Sequence, residues 1–362
     1  MMYTGIDKHK DNSFLTTVNN EGTIVKQERV RNTQFAFGEY FKPLVNDSHR
    51  AVVESTSGWY WLDDFLDELG IPLVLAHAKY LKAISYAKVK TDKVDSETLA
   101  QLLRMNYIPE AHKISPELRP VRDLTRARLR LVRKRTSCYN SLHSLAEKWN
   151  VPEDPLPGLA HPPAVPALYH EQVAIHTQQI DLFNTQIAHF ERLLRNRLLY
   201  NDDIQRLLWV PGIGPITAFS IYLEVDGIDR FADAGKFCSY ARLVPGANDS
   251  NRKHRHKSGN KDGNKYLKIA FTDAAVHAVQ FYPEYRAFYQ RLSRRRNSAI
   301  AHTVVAKELA RIVYYILKEK TVYKGFKGQP IQRPKSLTWP RRAAFAPQAE
   351  PSNSEQRDTF TS

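Results

Sequence analysis

The chain has 362 residues, enough for two or three domains with cores of their own, and its 53 Lys and Arg outnumber 38 Asp and Glu for a formal charge of +15, which favours a polyanion, nucleic acid first, as partner. The 42% of hydrophobic residues and five Trp fit an ordered enzyme better than a tail-like basic protein. With only Cys138 and Cys238, far apart and outside any CxxC spacing, neither a disulfide framework nor a zinc site is indicated, and no run approaches the roughly 18 apolar residues of a membrane span.

In chain order, YTGID, NSFLTTV and GTIVKQERV predict three consecutive strands joined by polar or Gly-containing turns. FAFGEYFKPL then predicts a helix, AVVES a buried strand, WYWLDDFLDEL a helix and PLVLAH a strand. The last helix of this region holds DKVDSETLAQLLRM, with Thr91 as its N-cap. The order β-β-β-α-β-α-β-α is ribonuclease-H-like, an α/β domain over about residues 1–110. Residues 115–205 predict an all-α hairpin or dimerising coiled coil. Its first helix carries Val121, Leu124, Leu131, Cys138, Leu142, Leu145 and Trp149 near heptad spacing, and its return helix carries Ile180, Phe183, Ile187, Phe190 and Leu194. The six prolines of VPEDPLPGLAHPPAVP place the tip between them. Both cysteines are expected reduced in packed helices. A mainly helical domain follows over 206–322, and the Pro-, Ser- and Arg-containing segment 323–362 predicts a disordered tail. The opening MMYTGIDKHKD is too polar for a signal peptide, so a cytoplasmic protein with no membrane partner is expected.

Four carboxylates stand out in the first domain. Asp7 and Glu54 end two apolar strands, where an uncompensated charge is costly, and in a ribonuclease-H-like sheet those ends are adjacent. Asp92 and Asp95, three apart, share one helix face that can pack onto the sheet. Such a set of hard oxygen donors suits Mg²⁺, with Mn²⁺ as the alternative, and two ions about 4 Å apart could serve phosphoryl transfer. Taken singly, an Asp ending a strand is usually a turn residue, and Asp92 and Asp95 are more often a helix N-terminal charge pair; it is the combination that points to a metal.

Toward the C-terminus, WVPGIGPITAFSIYLEV predicts a helix, a tight turn at Gly212 and Gly214, and another helix, like the hairpin of helix-hairpin-helix modules that bind phosphate through backbone amides. A basic loop follows, with Ser250 ahead of Arg252, Lys253, Arg255, Lys257 and Lys261 and with Asn264 at its end, which suits a phosphate backbone. Composition alone does not separate Ser250 from Ser239 or Ser258 as a nucleophile. Arg122, Arg126, Arg128, Arg130, Arg133 and Arg135 make the first helix of the hairpin a candidate nucleic-acid surface.

With GID at Asp7, VVES at Glu54, KTDKVDSETLA at Asp92 and Asp95, VPGIGPITA, and P-x(4)-S at Ser250 followed by K-x-GN-x-x-L, the chain resembles the insertion-sequence transposases that join an N-terminal DEDD, RuvC-like domain to a C-terminal serine transposase domain. The resemblance covers nearly the whole ordered chain. It implies RNA-guided DNA recombination, with a structured non-coding bridge RNA pairing to target and donor DNA, and covalent attack by Ser250 on a DNA phosphate beside carboxylate-bound Mg²⁺. It also implies a composite catalytic site and a helical hairpin that supports a homodimer or homotetramer. Two departures are visible: Asn251 follows Ser250 where the family pattern has Gly, and Glu54-Ser-Thr-Ser-Gly-Trp-Tyr is longer than the family's run. A RuvC-like junction resolvase or nuclease using water, and a non-catalytic nucleic-acid scaffold, are the competing readings.

Overall fold

A computed structural model describes residues 1–44, 48–56, 58–84, 91–150, 166–245 and 262–325. The chain forms two compact units, Met1–Ile114 and Ser115–Ser362.

The first unit contains strands β1 (Met2–Lys8), β2 (Asn12–Val18) and β3 (Ile24–Arg31), helix α1 (Gln34–Phe41), strand β4 (His49–Glu54), helix α2 (Tyr60–Glu68), strand β5 (Leu73–Ala76) and helices α3 (Ala78–Ile84) and α4 (Asp92–Arg104). One sheet has the order β3-β2-β1-β4-β5. The first three strands are antiparallel neighbours, whereas β4 runs parallel to β1 and β5 parallel to β4. Side chains alternate across the sheet. Ile6, Leu15 and Val53 therefore pack on one face with Phe37 and Phe41 of α1 and Leu62 and Leu66 of α2. Val52 and Ala76 pack on the other with Leu81 of α3 and Leu99, Leu102 and Leu103 of α4. The sequence pattern missed α3, a short helix with one buried side chain, Leu81, and hence no periodicity to read.

Helix α4 begins where expected. Thr91 adopts an extended conformation and its hydroxyl accepts from the Val94 amide, satisfying one of the open N–H groups of the first turn. The helix lies against β1 at Gly5, where a Cβ would overlap the Ser96 carbonyl and come to 2.5 Å from the Ala100 amide. A hydrogen bond between the Ser96 and Thr16 hydroxyls (2.7 Å) and one from Gln101 to the Gly22 carbonyl (2.8 Å) set its position along the strands.

In the second unit, α5 (Arg119–Lys148) and α6 (Ala167–Leu198) pack side by side. Arg135 meets Asn184, Cys138 meets Gln179, and Trp149 meets Tyr169, so the pair is antiparallel. Val173, Ile180, Ile187 and Leu194, seven apart, are buried along α6, as is Leu198 at its end. Then follow α7 (Asp202–Leu207), α8 (Pro215–Val225), α9 (Ala234–Tyr240), α10 (Lys265–Phe281), α11 (Pro283–Ser293) and α12 (Ser298–Lys318), whose core includes Phe219, Phe237, Phe271, Tyr285 and Leu309. Trp209, expected in a helix, lies beyond the end of α7, which closes at Leu207. Both cysteines are free and buried in helices, and burial pushes the Cys238 thiol up to about 11. Among the described residues no helix is long and apolar enough to cross a membrane. The Pro-rich tip at 151–165, Ser250 with its basic loop, and the tail beyond 325 lie outside the described residues.

The contact at Gly5 makes a direct prediction. Gly5→Ala should destabilise the protein by about 3 kcal/mol, the cost of overpacking against backbone that cannot give way, read as a lower urea midpoint at unchanged slope.

Candidate metal centre

Sheet register places the first two carboxylates. Ile6 pairs with Val53, so Asp7 and Glu54 stand one residue further along neighbouring parallel strands. Since Gly5 and Val52 face α4, alternation turns Asp7 and Glu54 to that same face. The close approach at Gly5 brings the N-terminus of α4 to the C-terminal end of β1. Asp92 is the first residue of that helix and Asp95 lies one turn on. The structure thus brings Asp7, Asp92 and Asp95 together, and sets Glu54 beside Asp7 by strand pairing.

A fourth group joins them that the sequence reading did not single out. His9 Nε2 lies 3.2 Å from Asp7 Oδ2 and 3.3 Å from Asp92 Oδ1. The spacing Asp7-x-His9 was the available signal, because residues two apart in an extended segment point the same way.

Burial raises the Asp7 carboxyl above its ordinary value, and the charges of Asp92 and Asp95 push it the same way, while the charge and hydrogen bond of His9 pull it down. The net shift is upward, so ionised Asp7 is held at a cost. A divalent cation would relieve that cost, and the donor set is the carboxylate oxygen that hard cations take. The residues therefore fit such an ion. The helix N-terminus adds its own positive end to a site that gathers negative charge.

Residues 4–149 match the DEDD transposase domain of the IS110 type, and residues 204–290 match the family described as Transposase IS116/IS110/IS902. The chain belongs to the IS116/IS110/IS902 transposase family. It is 24% identical over 337 residues to the transposase for insertion sequence element IS1111A of Coxiella burnetii, covering 88% of this chain and 90% of that one. Identity is also 24% over 340 residues with the transposase for IS1328 of Yersinia enterocolitica, covering 88% and 97%. A probable family 20 transposase of Pseudomonas aeruginosa is 27% identical over 287 residues, covering 74% and 83%. The family is a class of enzymes that cleave and rejoin DNA, and its DEDD-type domain points to dependence on a divalent metal.

In this transposase the basic helix α5 departs from the expected cationic face. Glu224 of α8 is buried, with its side chain 3% exposed, and it receives Arg126 Nε at 2.6 Å, Arg126 at a second donor at 2.8 Å, Arg122 Nε at 3.1 Å and Asn264 Nδ2 at 2.7 Å. Arg128 is turned to Glu191 of α6 at 2.9 Å, and Arg135 donates to Asn184. Arg130 and Arg133 are exposed. Arg122, Arg126 and Arg128 are thus committed to carboxylates inside the unit rather than presented to solvent, because a buried carboxylate needs paired charge. Asn264, expected at a phosphate, is buried instead as the N-cap of α10, its carbonyl accepting from Tyr266 and Leu267 amides. Gly212 has φ +78° and a Cβ there would overlap the Ala274 carbonyl, so its lack of a side chain serves packing on α10. Gly214 caps α8 in open space. Ser250, Arg252, Lys253, Arg255, Lys257 and Lys261 lie outside the described residues.

Two outcomes follow from these charges. Burial works to raise the Glu224 carboxyl, but hydrogen bonding from Arg126, the charges of Arg122 and Arg126, and the Asn264 amide outweigh it and hold it below the ordinary value. A depressed carboxyl stabilises the fold above its unfolded value and loses that contribution as pH falls through the folded one. Glu224→Ala should cost about 3–5 kcal/mol at neutral pH by stranding two guanidinium groups, with the difference from wild type shrinking in acid, checked by urea unfolding across pH. Asp7→Asn should act oppositely. In metal-free protein it should raise the unfolding temperature by roughly 2–4 °C at neutral pH, measured by calorimetry. That gap should close as pH falls toward 3.8, because a raised carboxyl destabilises the fold only once it ionises.

Proposed function

We propose that this transposase is an RNA-guided DNA recombinase in which Asp7, Glu54, Asp92 and Asp95 hold Mg²⁺ and Ser250 is the nucleophile. The observation that carries this reading is the convergence of Asp7, Asp92 and Asp95 where the end of β1 meets the start of α4, with Glu54 in register beside Asp7. The strand order β3-β2-β1-β4-β5, with carboxylates at the ends of β1 and β4, supports a ribonuclease-H-like domain over residues 1–110. We read residues 115–205 as a helical hairpin, a coiled coil that supports dimer or tetramer assembly, and 206–322 as the serine transposase domain. Double-stranded target and donor DNA and a structured non-coding bridge RNA are the partners. Their sequences are matched by base pairing, so the protein needs charge more than base readout.

Bound Mg²⁺ supplies stabilisation of the charge that develops on the phosphoryl oxygens. The chain's own groups do the rest. Ser250 Oγ attacks a DNA phosphorus, the Oγ–P bond forms as a P–O bond to deoxyribose breaks, and the freed deoxyribose hydroxyl takes up the proton Ser250 gives up. Religation reverses this exchange, with a hydroxyl of the other DNA strand regenerating Ser250. Arg130 and Arg133, exposed on α5, and Arg252, Lys253, Arg255, Lys257 and Lys261 contact phosphates.

With bridge RNA and both DNAs present, wild-type protein should cut DNA in Mg²⁺ and not in EDTA. Asp7→Ala and Asp95→Ala should each lower cleavage by about 10³-fold or more. Ser250→Ala should form no covalent protein–DNA adduct on denaturing gels. Metal-dependent cutting by Ser250→Ala at the wild-type rate would assign the attack to water or another serine, and full cutting by Asp7→Ala would remove the metal site.

A further inference from the structure

The position of His9 is fixed by more than its ring. Its backbone N–H donates to the Asn12 carbonyl at 3.1 Å, and its own carbonyl accepts from Asn32 Nδ2 at 2.8 Å and Lys8 Nζ at 3.4 Å. Asn32 is held in turn, donating to the Lys10 carbonyl at 3.0 Å and accepting from Ser13 Oγ at 2.6 Å. The turn after β1 is therefore tied to the end of β3, and the imidazole is aimed back over the end of β1.

There one ring atom faces two carboxylates from different elements. His9 Nε2 is 3.2 Å from Asp7 Oδ2, on β1, and 3.3 Å from Asp92 Oδ1, on α4. One nitrogen or oxygen atom from each of the three residues falls within 4.8 Å of the others, the spread of donors around one ion. Neutral imidazole is a common metal ligand, and nitrogen donors are taken up by transition-metal ions far more readily than by Mg²⁺, which prefers oxygen and water.

We propose that His9 Nε2 is a direct ligand to a divalent ion shared with Asp7 and Asp92, so that this centre is a mixed nitrogen and oxygen site that binds Mn²⁺ more tightly than Mg²⁺. The proposal rests on the carboxylates being the metal centre. Its rival is that His9 only hydrogen-bonds the carboxylates and stays out of the coordination sphere. His9 is 56% exposed, so its replacement leaves the core of the unit intact.

The test uses the full chain with Mn²⁺ as probe, comparing wild type, His9→Ala, His9→Gln and Asp7→Asn by electron spin echo spectroscopy and by binding titration. Wild-type protein should show ¹⁴N coupling to bound Mn²⁺, and both His9 variants should lose it. Their Mn²⁺ affinity should fall about tenfold, while Mg²⁺ affinity, read by competition, should change far less. Mn²⁺ binding that Asp7→Asn abolishes, but that shows no ¹⁴N coupling or the same coupling in His9→Ala, overturns the role of His9 and leaves the carboxylate centre standing. Mn²⁺ binding that is indifferent to Asp7→Asn overturns the centre itself.

Discussion

Helix α4 can rest on strand β1 only because residue 5 has no side chain. A methyl group there would overlap the Ser96 carbonyl, and the helix would have to stand away from the sheet. With glycine, the first turn of α4 comes down at the end of β1, and Asp92 and Asp95 reach Asp7. The Thr91 cap fixes where that turn begins, and the Ser96 and Gln101 hydrogen bonds fix how far along the strands it sits. Assembly of the centre is thus a consequence of backbone packing at Gly5, two residues from Asp7, rather than of any attraction among the carboxylates.

The molecule treats its two groups of inward-facing carboxylates in opposite ways. Glu224 is almost fully buried, yet two guanidinium groups and an amide meet its oxygens, and its carboxyl stays below the ordinary value. Asp7 is less buried, has two carboxylates for neighbours and one imidazole in partial compensation, and its carboxyl rises. A side chain selected for stability alone would resemble the first case. Like charges that oppose one another at the end of β1 suit a cation-binding centre, since a bound ion recovers that energy.

How far this was legible depends on the range of the signal. Strands β1, β2, β4 and β5 and helices α2 and α4 announce themselves through local periodicity, and the Thr91 cap through three residues of sequence. Asp7 and Glu54 were recognisable because a charge ending an apolar strand is conspicuous. Glu224 was not, because it sits in PITAFSIYLEV as a single acid at a helix end, and its partners lie about 100 positions away in α5 and 40 away at Asn264. His9 fell between the two cases: its spacing from Asp7 was visible, but its approach to Asp92 depends on α4 docking. Gly212 was read as a phosphate turn because a Gly-Ile-Gly sequence has the same conformational freedom whether a ligand or a helix comes close, and here it is α10 that does.

The basic helix shows why net charge is a poor guide to a binding surface. Arginine at short spacing on a 30-residue helix must point in all directions, and at the end of α5 nearest the helical core those directions include the interior. Arg119 is itself buried there, and Arg122 and Arg126 close over Glu224. Further along, at Arg130, Arg133 and Lys134, the side chains are exposed. The same residue type therefore has two roles along one helix, decided by what α8 and α6 place opposite it. Charge paired with Glu224 and Glu191 is unavailable to a phosphate backbone, so the number of arginines on α5 overstates the cationic surface that helix presents.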